Sequence, residues 1–128
     1  TPHVAYPVKN GWLLGSDRGE WGGNLVFKSH NGKQQKVLED NIEDIYKFSF
    51  GYVVTAGLAH LSFNRGAIYL VTLEENEFTA VKLHSLIGRP KSSWRLETGD
   101  LLINHDDEAS SVFTKSGHLY RINCTNFN

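Results

Sequence analysis

Residues able to do chemistry gather in three short stretches of this 128-residue chain. The first is Ser16-Asp17-Arg18-Gly19-Glu20-Trp21-Gly22. Trp and Arg are over-represented among the residues that anchor protein interfaces, so Asp17, Arg18, Glu20 and Trp21 form a candidate docking element. The competing expectation is that Trp21 packs against its own sheet while the glycines shape the turn. Arg18 and Glu20 would then pair with each other, which contributes little at a surface. The second stretch, Gly57 to Arg65, carries His60, Asn64 and Arg65. A histidine standing alone in a loop reads first as a hydrogen-bond partner. Leu58, Leu61 and Phe63 are expected to be buried, making this a packed, structural loop. The third stretch sets Asp106, Asp107 and Glu108 beside His105, followed by Ser110 and Ser111. Clustered carboxylates bind Ca²⁺ or meet a basic partner. Their spacing departs from the alternate-position acids of an EF-hand. A solvated acidic turn is the plain expectation, and a negative lobe offered to a cationic groove comes ahead of a metal site. Ser110 and Ser111 are small enough to enter such a groove.

No catalytic constellation accompanies these residues. The chain has no G-x-S-x-G elbow, no H-E-x-x-H, no P-loop and no G-x-G-x-x-G. A His60–Asp106 dyad is conceivable across two loops, but nothing in the sequence selects that pair. Arg89, Lys91 and Arg95, with Trp94, are too scattered to define an anion site. The expectation is no catalytic residue, no metal and no cofactor.

The elements that must position these stretches repeat along the chain. Gly11-Trp-Leu-Leu-Gly precedes Gly23-Asn-Leu-Val-Phe27, Gly51-Tyr-Val-Val-Thr precedes Gly66-Ala-Ile-Tyr-Leu70, and Gly99-Asp-Leu-Leu-Ile precedes Gly117-His-Leu-Tyr-Arg121. The leading glycines are 40 and 48 residues apart, near the ~40–50-residue period of a four-stranded propeller blade. Strand-like runs lie ahead of each leading glycine, at 3–8, 42–50 and 92–97. Asn31-Gly32 is a hairpin signal. Fourth strands are expected at 34–39 and 78–83, while in the third unit only Cys124 to Asn128 remains for one. β-branched and aromatic residues fill the runs, and no stretch has helical periodicity. Tyr6, Tyr46 and Trp94 occupy similar places in the first strands and are expected to be core aromatics. The fold expected is all-β: one domain of three four-stranded antiparallel meanders, at about 3–40, 42–85 and 91–128.

Gly117-His-Leu-Tyr-Arg121 resembles the G-x-L-Y-R third strand of bacterial β-propeller blades, and Gly66 to Leu70 and Gly23 to Phe27 resemble it more loosely. The resemblance runs from about His3 to Ile122 and implies a propeller-like fold. Closed propellers carry four to eight blades, whereas this chain supplies three. The ring is therefore incomplete and compact, completed by a homodimer, or part of a larger propeller. Some small periplasmic immunity proteins, which neutralise secreted cell-wall hydrolases of competing bacteria, are similar to a three-bladed propeller. In such blades the second-to-third loops share one end with the inter-blade loops. That end, joined by the connection at 84–91, is the expected functional face.

Composition narrows the classes further. Lys plus Arg is 13 and Asp plus Glu is 14, a net charge of −1, which lacks the footprint of a general nucleic-acid or membrane-surface binder. The single cysteine, Cys124, excludes an internal disulfide and a Cys-based zinc site. No apolar run approaches the ~20 residues of a membrane span. A start at Thr1 rather than Met fits a removed export signal or a trimmed chain alike, and tilts the expectation toward a periplasmic or secreted protein. The function expected is a non-catalytic protein-binding module, an immunity or inhibitor protein that blocks a partner enzyme such as a toxin or hydrolase. The alternatives are a small-ligand-binding or lyase-type propeller enzyme, and a subunit of a larger assembled propeller.

Overall fold

The computed structural model describes residues 1–106 and 109–123. Asp107, Glu108 and Cys124 to Asn128 lie outside the described residues. Twelve strands follow in order: β1 Val4–Val8, β2 Gly11–Gly15, β3 Leu25–Ser29, β4 Gln34–Leu38, β5 Ile42–Phe48, β6 Gly51–His60, β7 Phe63–Glu74, β8 Glu77–Leu86, β9 Pro90–Arg95, β10 Leu101–His105, β11 Ala109–Phe113 and β12 Leu119–Asn123. Among the described residues the one helical piece is a 3-10 turn at Gly19–Trp21. The strands form three four-stranded antiparallel meanders in chain order: β1–β4 (sheet A), β5–β8 (sheet B) and β9–β12 (sheet C). This is the all-β, propeller-like set of three blades that the repeats imply.

Alternation with period two decides which face of each sheet is covered. Leu13 and Leu25 of sheet A meet Ile42, Ile45, Val54, Ala56, Val71 and Phe78 of sheet B in one core cluster. Phe48, Val53, Ile68 and Leu86 of sheet B meet Leu101, Ile103 and Phe113 of sheet C in another. Sheet B is thus apolar on both faces and lies between the other two. Each fully buried Leu, Ile, Val or Phe contributes about 1.5–3 kcal/mol. A bulge at Glu43, between the Ile42–Ala56 and Asp44–Thr55 pairs, re-phases β5. It lets Ile42 and Ile45 face sheet A while Phe48 faces sheet C, and it turns the Glu43 carboxylate out of the alternation.

The first strands of the sheets lie side by side. His3 Nε2 is 2.7 Å from Ile42 O, Tyr46 OH is 2.7 Å from Ser93 Oγ, and Arg95 Nη2 donates to Lys47 O at 2.5 Å. Tyr6 and Tyr46 pack against the two clusters as expected, but Trp94 does not: it stands exposed on the opposite face of β9.

Two further expectations are corrected. In the third unit the repeat is out of phase: Gly117 leads the fourth strand, β12, and not the third, so the G-x-L-Y-R run is an outer strand. The third strand is β11, which begins at Ala109. Ser110 and Ser111 therefore lie in a strand and are buried, not in a loop. The connection expected at 84–91 shrinks to Ile87, Gly88 and Arg89, because β8 continues to Leu86 and β9 starts at Pro90.

Candidate functional site

The β2–β3, β4–β5, β6–β7, β8–β9 and β10–β11 connections all lie at one end of the sheets. A polar clamp built on Asp40 and Asn41, the link between sheets A and B, holds this end together. Both residues are buried. Asn41 Nδ2 donates to Asp17 Oδ1 at 2.7 Å, Gly19 O at 2.8 Å and Gly22 O at 3.2 Å. Gly57 N donates to Asn41 O at 2.9 Å. One amide thus ties the loop of residues 16–24 to the first strands of the middle sheet.

Asp40 performs the same task on the other side. Its Oδ1 accepts from Arg65 Nη1 at 2.8 Å and Asn41 N at 2.7 Å, and its Oδ2 accepts from Tyr69 OH at 2.8 Å. A buried carboxylate needs such partners to repay its desolvation. Burial pushes the Tyr69 phenol up to about 12, with the hydrogen bond to Asp40 and its charge acting in the same direction.

On this frame sit the exposed side chains. The loop of residues 16–24 is stiffened by Asp17 Oδ1 accepting Gly19 N at 2.8 Å, and by Arg18 N donating to Gly22 O at 2.7 Å. Trp21 ends its 3-10 turn and is 78% exposed. Glu20 pairs not with Arg18 but with His60, at 2.7 Å, while Arg18 Nη1 donates to Ser16 Oγ at 3.3 Å. The Glu20–His60 contact brings Trp21 alongside the tip of the β6–β7 hairpin.

That tip overturns the expectation of a packed loop with Leu58, Leu61 and Phe63 buried. Strands β6 and β7 run on to His60 and Phe63, joined by Leu61 and Ser62. Leu61 is 94% exposed, Phe63 is also exposed, and Leu58 is half-buried. The Arg65 guanidinium lies 5.9 Å from the Phe63 ring, within cation–π reach. Leu61 has φ 56, a left-handed conformation that costs a non-glycine residue about 1–2 kcal/mol. Exposed Ile87 lies in the neighbouring β8–β9 connection.

Of the candidate residues, Asp17, Arg18, Glu20, Trp21, His60, Asn64 and Arg65 share this end. Asn64 Oδ1 accepts Arg89 N at 2.8 Å, so it holds the β8–β9 connection. Ser110 and Ser111 lie on opposite faces of β11, Ser111 on the core side with Ile103 and Ser110 on the other with Asn104: Ser110 Oγ donates to Asn104 Oδ1 at 2.9 Å, and Ser111 Oγ lies 2.9 Å from His105 Nε2. Asp107 and Glu108 lie outside the described residues. The conceived His60–Asp106 dyad is replaced by the His60–Glu20 pair.

His105 and Ser111 have the separation of a base and a nucleophile, with His105 Nδ1 3.3 Å from Arg89 O. Both are buried, however, Ser111 at 2% exposure, which leaves no room for a reacting carbonyl. Burial lowers the His105 pKa, partly offset by hydrogen bonds to Arg89 and Gly88 and by the charge of Asp106. The pair is read as packing.

Sequence reasoning missed three features. Asp40 and Asn41 give no sequence signal, since their partners lie about 20–30 residues away in the chain. Glu43 Oε1 accepts from Thr55 Oγ1 at 2.7 Å and Ser93 Oγ at 2.5 Å, joining sheets B and C. A cleft of about 620 Å³ opens at the opposite end between the β3–β4 and β7–β8 turns, lined by Lys9, Lys33, Phe27, Leu73, Glu75 and Glu77 among others. Among the described residues no cluster of three or more His, Cys, Asp or Glu could hold a metal ion, and no helix is long and apolar enough to cross a membrane. No family model, curated protein or solved structure matches the chain.

Proposed function

We propose that this chain is a non-catalytic protein-binding module that docks a partner through the end carrying Trp21 and the Leu61 tip, and that it acts as an inhibitor or immunity protein by covering a partner enzyme's active site. Leu61 carries the reading. It is an apolar side chain standing in water at the first position of a two-residue hairpin turn, which requires the positive φ but not a leucine, so neither burial nor the turn accounts for the choice of residue. Trp21, on the loop that Glu20 ties to His60, is an anchor of the type found at interface centres, and Arg18, Glu20, His60, Asn64 and Arg65 supply the polar rim. The clamp on Asp40 and Asn41 pre-organises both loops, which lowers the ordering cost of binding.

Capture from an extract of the native cells tests this with two baits. The wild-type chain retains a stoichiometric protein and suppresses its activity. Leu61→Asn, at a φ that asparagine tolerates, keeps or slightly raises the melting temperature and loses the partner. Equal capture by both baits rejects the proposed face, and no stoichiometric partner rejects the function.

A further inference from the structure

We infer that the outward faces of the first and last sheets bind each other between two copies of this chain, closing a head-to-tail ring of six sheets. Sheet B sets the pattern: one face packs on sheet A and the other on sheet C. Sheets A and C each have only one face in those clusters, and each of the other faces carries apolar side chains that pair across its strands. On sheet C, Trp94 pairs with Leu102, Leu102 with Val112 and Val112 with Tyr120, one row across all four strands. Trp94 is 47% and Tyr120 59% exposed. On sheet A, Leu14 and Val26 are cross-strand partners on the face opposite Leu13 and Leu25, next to Trp12 at 43% exposure. Monomeric proteins seldom leave such rows uncovered.

Chain order says what covers them. The A–B and B–C junctions each set the later sheet on the same side of the earlier one. The free face of sheet C is therefore the one awaiting a following sheet, and the free face of sheet A the one awaiting a preceding sheet. A second copy supplies both and continues an interface the molecule already uses twice. Two junctions of this kind close the assembly with two-fold symmetry, at six blades, within the range of closed propellers. The chemistry is compatible. The free face of sheet A carries Lys28, the cross-strand partner of Trp12. The free face of sheet C presents the Trp94 and Tyr120 rings, which attract ammonium groups. The loop end stays open in the ring, so this pairing and the proposed partner binding stand or fall separately.

Sedimentation equilibrium at high micromolar concentration tests it, using exposed positions so that folding, checked by circular dichroism and thermal melting, is retained. The wild-type chain runs at twice its 14.4 kDa mass. Trp12→Glu and Trp94→Glu each give a monomer alone, because each damages both junctions. Mixing the two restores dimer, since one junction is then unaltered. If Trp94→Glu alone fails to fold, Tyr120→Glu replaces it. A monomeric wild type, any stoichiometry other than two, or a dimer that survives either substitution overturns the inference.

Discussion

Asp40 shows how much of the loop end rests on one side chain. It is buried, accepts three hydrogen bonds, and joins the β4–β5 link to two residues of β7. Replacing it by asparagine removes a negative charge beside a phenol and leaves the burial unchanged. Asp40→Asn therefore lowers the Tyr69 pKa from about 12, read as an earlier tyrosinate absorbance in an alkaline titration. It also costs about 1–3 kcal/mol of stability in denaturant unfolding. An unmoved tyrosinate transition contradicts this geometry. Glu43 makes an opposite case. Burial raises its pKa above 4.5, only partly offset by the hydrogen bonds from Ser93 and Thr55 and by the charge of His3, while Asp44 adds to the rise. A carboxyl raised in the folded state stabilises most below its unfolded pKa, and that contribution is lost as pH climbs through the folded value. Glu43→Gln accordingly melts above the wild type at neutral pH, and its advantage shrinks as pH falls through the raised folded value toward 4.5 and is gone below it. A difference constant with pH rejects this. Trp21 was legible at this scale because a tryptophan among glycines and charges is unusual. Asp40, Asn41 and Glu43 were not, because their partners come from distant strands.

The strands themselves were legible, since alternation and β-branched composition act locally. Their phase in the third unit was not. Gly117 has φ +93 and serves a turn before β12, while Gly66, aligned with it by sequence, serves close packing inside β7. A Cβ on Gly66 would lie 2.2 Å from Gly88 O. One residue type answers two needs, so glycine spacing alone misplaced the last two strands and put Ser110 and Ser111 in a loop. The β6–β7 hairpin misled for a related reason: Leu58, Leu61 and Phe63 read as core by hydrophobicity, whereas the hairpin carries them beyond the sheet that would cover them. The close approach at Gly66 sets how the β8–β9 connection lies on β7. Gly66→Ala is expected to lower the stability by about 1–3 kcal/mol through overpacking, measured by chemical denaturation. No loss would mean the connection is free to move away.

At the scale of the whole molecule, three sheets share two cores and divide the surface into two ends and two free flanks. One end carries the clamped loops with Trp21 and Leu61, and the other carries the wide cleft between the β3–β4 and β7–β8 turns. The number of sheets and their order were legible from the repeat, because each unit spells out its own meander. Which ends and flanks stay exposed was not, because that depends on how sheets stack. The same layout makes the account testable as a map. Amide hydrogen exchange of the chain, alone and saturated with the captured partner, reads protection segment by segment. Docking through the loop end predicts slowed exchange in residues 16–24 and 58–65, with the β3–β4 and β7–β8 turns unchanged. Protection confined to those turns, or absent from both loops, would contradict it.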